Sequence, residues 1–94
     1  MNEKIIEIDY TKKFIKQLKK APLSIKIAFR NRINLFLKNP FNPLLNDHLS
    51  KGKYSHYRSI NVTGDWRAIY SETLENEGKV AIFVAFGTHS QLYK

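Results

Sequence analysis

The sequence predicts an α+β fold of order β-α-α-β-β-β, in which two antiparallel N-terminal helices pack on a small, mainly antiparallel sheet. Three observations carry this. Apolar residues recur at helical spacing between Tyr10 and Leu37, the pattern turns strand-like from Ser55 onward, and Asn39-Pro40-Phe41-Asn42-Pro43 separates the two regimes. A chain of 94 residues supports one compact domain, residues 1–94, because at this size folding buries only about 60–68% of the unfolded surface and cannot sustain two cores. With 43% hydrophobic residues but only 4 Gly and 3 Pro, the composition is too apolar for a disordered tail. Charges interrupt every apolar run before it could span a bilayer, so no membrane segment is expected.

Ile5, Ile6 and Ile8 form a short β-prone stretch, and Asp9 offers a capping oxygen to a helix in which Tyr10, Phe14 and Leu18 recur every four residues. The opposite face holds Lys12, Lys13, Lys16, Lys19 and Lys20, and the helix should stop near Ala21 because Pro22 disfavours helical geometry in the residue before it. Ser24 can cap a second helix, whose apolar stripe is Ile25, Ala28, Phe29, Ile33, Phe36 and Leu37, with Lys26, Arg30 and Arg32 facing outward. A loop with Leu44, Leu45, His48, Leu49 and Lys51-Gly52-Lys53 leads to a strand over residues 55–62. A turn at Thr63-Gly64-Asp65 returns it through a second strand over 66–72. The polar stretch 73–78 reads as a loop. Residues 79–86 are apolar on both side-chain parities, as a central strand covered on both faces requires.

Charge is unevenly placed. Residues 1–38 hold ten Lys or Arg against three Asp or Glu, the remainder six against five, so nearly all of the net +8 lies in the first half. Clustered cations raise the local concentration of polyanions, which points to nucleic acid or an acidic protein as partner, although a solvated helix face gives the same pattern. The absence of cysteine leaves no disulfide, thiolate metal site or cysteine nucleophile. Acidic residues at Glu3 and Glu7 and the lack of a sustained apolar stretch argue against a signal peptide, and a cytoplasmic location is expected.

The chemistry-bearing residues fall in the last half: His48, Tyr57-Arg58, Asn61, Asp65-Trp66-Arg67, Ile69-Tyr70 and Gly87-Thr88-His89-Ser90 before Leu92-Tyr93. No phosphate-binding glycine loop, zinc spacing or glycine-flanked serine is present, so a mechanism without metal or cofactor is the simpler reading. Cleaving an RNA phosphodiester needs a base for the 2′-hydroxyl, an acid for the leaving 5′ oxygen, and donors for the charge that builds on phosphorus. Imidazole can serve as acid or base, a carboxylate can accept or orient a proton, and arginine can fork onto non-bridging oxygens.

In this order and spacing, Asp47-His48-Leu49 with Gly52, Tyr57-Arg58, Asp65-Trp66, Ile69-Tyr70 and Gly87-Thr88-His89-Ser90 with Leu92-Tyr93 resemble the RelE/ParE toxin superfamily, above all its YafQ-like mRNA interferases. The resemblance implies a toxin that cuts mRNA in the ribosomal A site, leaves a 2′,3′-cyclic phosphate, and is silenced by a cognate antitoxin, operator DNA being bound only through the antitoxin complex. Carried over residue by residue, it makes His89 the general acid, assigns His48 with Asp65 the base and orienting roles, and makes Tyr93 an aromatic residue that orients RNA. Arg58, Asn61, Arg67, Lys51 and Lys53 are candidates for phosphate or RNA binding. Two positions depart from the pattern: Asn61 stands where these enzymes commonly have a histidine, and Ala85 where an arginine often precedes the Gly-Thr-His turn. Arg58 and Asn61 differ by an odd number, so a regular strand points them to opposite faces unless a bulge intervenes. Outside the resemblance, Asp65 is an ordinary turn residue, Trp66 and Tyr70 are core, and Tyr93 covers a sheet edge. His56 is a surface histidine with no place in the site. Two other functions remain open: a ParE-like protein that inhibits gyrase by binding, and a degenerate toxin retained for antitoxin binding.

Overall fold

The computed structural model describes residues 4–93; Met1, Asn2 and Glu3, which entered the export reading, lie outside them. The elements run β1 (Ile5–Tyr10), α1 (Lys12–Lys19), α2 (Leu23–Lys38), β2 (His48–Leu49), β3 (Arg58–Thr63), β4 (Trp66–Glu75), β5 (Gly78–Thr88) and α3 (His89–Leu92). The expected order is present with four short additions, the two-residue β2, the single-turn α3 and single 3-10 turns at Pro43–Leu45 and Gly52–Tyr54, all too short to show a hydrophobic period. The strands form one sheet in the order β1-β5-β4-β3-β2, antiparallel except where β1 lies parallel to β5. No helix among the described residues is long and apolar enough to cross a membrane.

Both helix starts differ from expectation. β1 extends through Tyr10, which keeps Asp9 extended, and the Thr11 hydroxyl takes the capping role by accepting the Phe14 N–H at 3.2 Å. Pro22 holds the cap position of α2, so the helix begins at Leu23 with no side-chain cap and Ser24 lies inside its first turn. Phe29 and Phe36 are buried as expected, while Leu37 is 43% exposed because it sits a further 100° around the helix from Phe36. Arg32 does not look outward: its Nε donates to the Val62 carbonyl at 2.7 Å. That residue is displaced by a bulge between Asn61 and Thr63.

The stretch 73–78 is a hairpin, not a loop. Thr73, Leu74 and Glu75 pair with Val80, Lys79 and Gly78, leaving a two-residue turn at Asn76-Glu77. Polar side chains misled here because the hairpin tip projects into solvent, where strands need no apolar face. Gly78 adopts φ +152°, and a Cβ there would meet the Lys4 carbonyl oxygen at 2.5 Å, so the close approach of β1 requires glycine.

β5 is an interior strand, flanked by β1 and β4, as its two apolar parities require. A bulge at Val84 (Ile69 pairs with Ala85, Tyr70 with Phe83) flips the alternation partway along. Ala81, Phe83 and Phe86 face the helices and join Phe14, Phe29, Phe36, Ile60, Val62 and Tyr70 in the main core. Ala85 turns to the other face and packs with Tyr54, Ile69 and Leu92 in a smaller cluster. That second cluster is the floor on which the candidate site is built.

Candidate active site

On the face away from α1 and α2, β2, the following loop, β3, β4 and α3 enclose a cavity of about 520 Å³. Of the residues singled out by sequence it gathers His48, Lys51, Lys53, Arg67, His89 and Tyr93, and adds Leu49, Ser50, Gly52 and Ser59. Every lysine or arginine lining it is balanced by no lining carboxylate, so the cavity is cationic. An anion entering it meets positive charge on several sides.

His48 stands on the edge strand β2, which pairs with β3 through His48–Ser59 and Leu49–Arg58. Its Nδ1 lies 2.7 Å from the Asn46 carbonyl oxygen. A carbonyl only accepts, so Nδ1 carries the hydrogen and the neutral ring presents an unprotonated Nε2. Asn46 provides that carbonyl from a left-handed conformation, φ 45°, which asparagine tolerates better than most residues.

His89 opens α3. Thr88 caps the turn reciprocally with Gln91, the His89 N–H donates to the Asp65 carbonyl at 3.0 Å, and the Tyr93 N–H donates to the His89 carbonyl at 3.0 Å. The Tyr93 ring packs on the imidazole at a centroid distance of 4.8 Å and meets Tyr54 edge-on at 5.8 Å. The Tyr93 hydroxyl hydrogen-bonds Ser50, whose own N–H donates to Tyr57 O at 2.8 Å. Backbone bonds thus fix the two strand ends, and the Ser50–Tyr93 bond ties them together. Arg67 enters from β4 with Nη1 held by the Gly64 and Trp66 carbonyls at 2.8 and 3.0 Å. Lys53 lies over the Tyr54 ring at 5.6 Å, and Lys13 of α1 approaches the same ring at 5.9 Å.

Three singled-out residues lie elsewhere. Arg58 to Asn61 pair with Tyr70 to Arg67 in unbroken register, so alternation holds and the bulge comes too late to reconcile the odd spacing. Arg58 therefore turns to the helix side, where its Nε donates to Asp47 Oδ1 at 2.8 Å, and its assignment to phosphate is corrected. Burial acts to lower the Arg58 pKa, but the hydrogen bond and charge of Asp47 outweigh it and the net shift is upward. Asn61 lies on the cavity face opposite Arg67 but does not line the cavity; its Oδ1 is buried without a hydrogen-bond partner. Asp65 is exposed in the Gly64 turn and reaches the site through its backbone carbonyl, while its carboxylate is not among the lining groups. His56 occupies a left-handed turn, φ 78°, and is exposed, as its exclusion required. Ala85 is fully buried beneath Tyr54 and Leu92, which leaves no room for a guanidinium at that position.

Sequence reading missed Ser50 and Ser59, small hydroxyl residues without a spacing signal, and left Asp47 without a role although it precedes His48. Among the described residues, no group of three or more His, Cys, Asp or Glu is placed to hold a metal ion.

A family model described as a bacterial toxin of type II toxin-antitoxin system, YafQ, matches residues 6–94. Among solved structures, the chain is similar to YafQ from E. coli strain BL21(DE3), with a TM-score of 0.73, 25% identity, and 94% of this chain and 98% of that one covered. It is similar also to the toxin of the E. coli DinJ-YafQ toxin-antitoxin complex, with a TM-score of 0.71, 25% identity and coverage of 94% and 97%. A YoeB/ParE toxin from Agrobacterium tumefaciens, 15% identical, shares the fold with a TM-score of 0.71 over 89% of this chain and 99% of that one. No curated protein sequence matches it.

Proposed function

The chain belongs to the YafQ family of bacterial type II toxins, and from that premise we propose that it is a cytoplasmic, ribosome-dependent endoribonuclease that cleaves mRNA by acid–base catalysis. The observation that supports this best is the pair His48 and His89 on one cationic cavity. His48 Nε2 takes the proton of the 2′-hydroxyl, the 2′ oxygen attacks phosphorus, and the bond to the 5′ oxygen breaks as His89 protonates that oxygen. The products are a 2′,3′-cyclic phosphate and a free 5′-hydroxyl. Arg67 directs its remaining guanidinium donors at the non-bridging oxygens, and Lys51 and Lys53 hold the flanking backbone. Tyr93 orients His89 and offers a ring edge to a nucleobase. Asp65 acts through its carbonyl, which anchors the first residue of α3. Asn61 supplies an acceptor behind Arg67 and shuttles no proton.

The test is cleavage of a defined message, free and bound in a translating ribosome, with the 3′ ends mapped. Cuts confined to the ribosomal A site support the reading. Intact message together with a DNA-damage response would move the chain to gyrase inhibition, and a harmless wild-type protein would make it a degenerate toxin.

An antitoxin is proposed as the partner. α1 and α2 frame an apolar groove of about 430 Å³ floored by Tyr10, Phe14, Leu18, Phe29 and Ile33 and rimmed by Lys19, Lys26 and Arg30. Its apolar floor and basic rim complement an amphipathic, acidic segment. Of the lysines expected to meet a partner, Lys19 borders this groove whereas Lys12 and Lys16 do not. Reversing Lys19, Lys26 and Arg30 to glutamate should weaken antitoxin binding about tenfold or more at low salt, since exposed ion pairs contribute roughly 0.2–1 kcal/mol each, and by less at high salt. Titration calorimetry at two ionic strengths checks this; equal affinity in both proteins would remove the groove from the interface.

A further inference from the structure

Strand β2 has two paired residues, too few for its own ladder to specify register. Because side chains alternate along a strand, a slip of one residue would turn His48 away from the cavity face it now shares with Ser59. The residue before His48 removes that freedom. Asp47 points to the opposite face, with its side chain only 4% exposed. Its Oδ1 accepts from Arg58 Nε at 2.8 Å and its Oδ2 from the Tyr70 hydroxyl at 2.5 Å. Arg58 and Tyr70 are direct partners across β3 and β4, so one carboxylate fastens β2 to two inner strands.

Removing this carboxylate would be costly, because a partly buried guanidinium and a buried phenol would each lose their partner. Burial first, and then the hydrogen bond to Asp47, push the Tyr70 pKa upward, so the phenol remains a donor at any working pH. On the other flank, Asn46 supplies the carbonyl that fixes the His48 tautomer. Residues 46 and 48 are therefore held in their relation by the anchored residue between them.

We infer, on the reading of His48 as general base, that Asp47 is a positioning residue: clamped by Arg58 and Tyr70, it sets the face and the tautomer that His48 presents to the scissile phosphate. It touches no substrate. Its part is to keep Nε2, not Nδ1, directed into the cavity.

The test uses the intact toxin with Asp47→Ala, Asp47→Asn and Tyr70→Phe. Imidazole 15N shifts, with His48 assigned by its loss in His48→Gln, report the tautomer without need of any activity. The wild-type protein and Asp47→Asn should show the Nδ1–H form, and Asp47→Ala a mixture of both forms. In single-turnover cleavage on programmed ribosomes, Asp47→Ala should lose about 100-fold in rate, the size of effect a roughly 1 Å misplacement produces, with half-saturating ribosome concentration unchanged. Asp47→Asn, whose carboxamide oxygen still accepts from Arg58, should recover at least tenfold of that loss. Should Asp47→Ala fail to fold, Tyr70→Phe keeps the Arg58 bond and should still lose about tenfold in rate. Unchanged tautomer and rate in these variants, whatever the fall in melting temperature, would make the cluster a structural ion pair and overturn the inference. A tautomer shift in a protein whose wild type cleaves nothing would leave the positioning role standing and sink the nuclease reading instead.

Discussion

Replacing His89 by glutamine is expected to lower the cleavage rate by about 10²–10⁴-fold, the range over which a general acid contributes, and to leave the fold unchanged. The structure makes this substitution clean. The bonds that hold α3 at His89 are backbone bonds, to Asp65 and Tyr93, and the capping pair is Thr88 with Gln91. The side chain itself is exposed and packs only on the Tyr93 ring in the ring contacts of the site. Glutamine keeps the length and the hydrogen-bonding groups but exchanges no proton near neutral pH. A surface change of this kind costs within about 0.5 kcal/mol, so the melting temperature should move by no more than a few degrees. Parallel thermal scans and single-turnover assays decide it: a variant that cleaves at the wild-type rate would leave the mechanism without its acid.

The largest stability effect is expected at Phe83. Its ring lies within 5.1–6.0 Å of five others, Tyr10, Phe14, Phe29, Phe36 and Tyr70, which makes it the hub between both helices and the sheet. It is wholly buried on the interior strand β5, one residue before the bulge that turns Ala85 and Gly87 to the cavity face. Truncation to alanine removes the transfer energy of the ring and leaves a cavity that rigid aromatic neighbours cannot collapse. The expected loss is about 3–5 kcal/mol, a large share of the roughly 5–15 kcal/mol that holds a domain of this kind folded. Urea unfolding should show the midpoint falling sharply; a loss under about 1 kcal/mol would show that the aromatic cluster repacks and is not the keystone described.

The sequence showed the fold where hydrophobic period was strong and concealed it where geometry was set by distant partners. Phe14, Phe29 and Phe36 announced both helices because burial on one face forces a helical period. The hairpin tip over residues 73–78 did not, since strands in solvent carry polar residues and their pairing shows only in register. β2 is paired through just two residues and owes its place to Asp47, whose partners Arg58 and Tyr70 stand 11 and 23 positions away. In the site, the residues on turns and strand ends (His48, Arg67, His89, Tyr93) came together as their motifs implied. Arg58 did not, because an odd spacing along an unbroken strand turned it to the core, a question that parity had posed and only the position of the bulge could answer. Asp65 came close by its backbone, a contribution invisible to any reading based on side-chain chemistry.

The paired roles of the two histidines meet their sharpest test in the pH dependence of single-turnover cleavage on programmed ribosomes. A base must be unprotonated and an acid protonated, so the wild-type rate should trace a bell. The His48→Gln residual rate should lose the rising acidic limb, and the His89→Gln residual rate the falling alkaline limb. A wild-type profile without a bell, or a bell whose two limbs survive in both variants, would contradict the account.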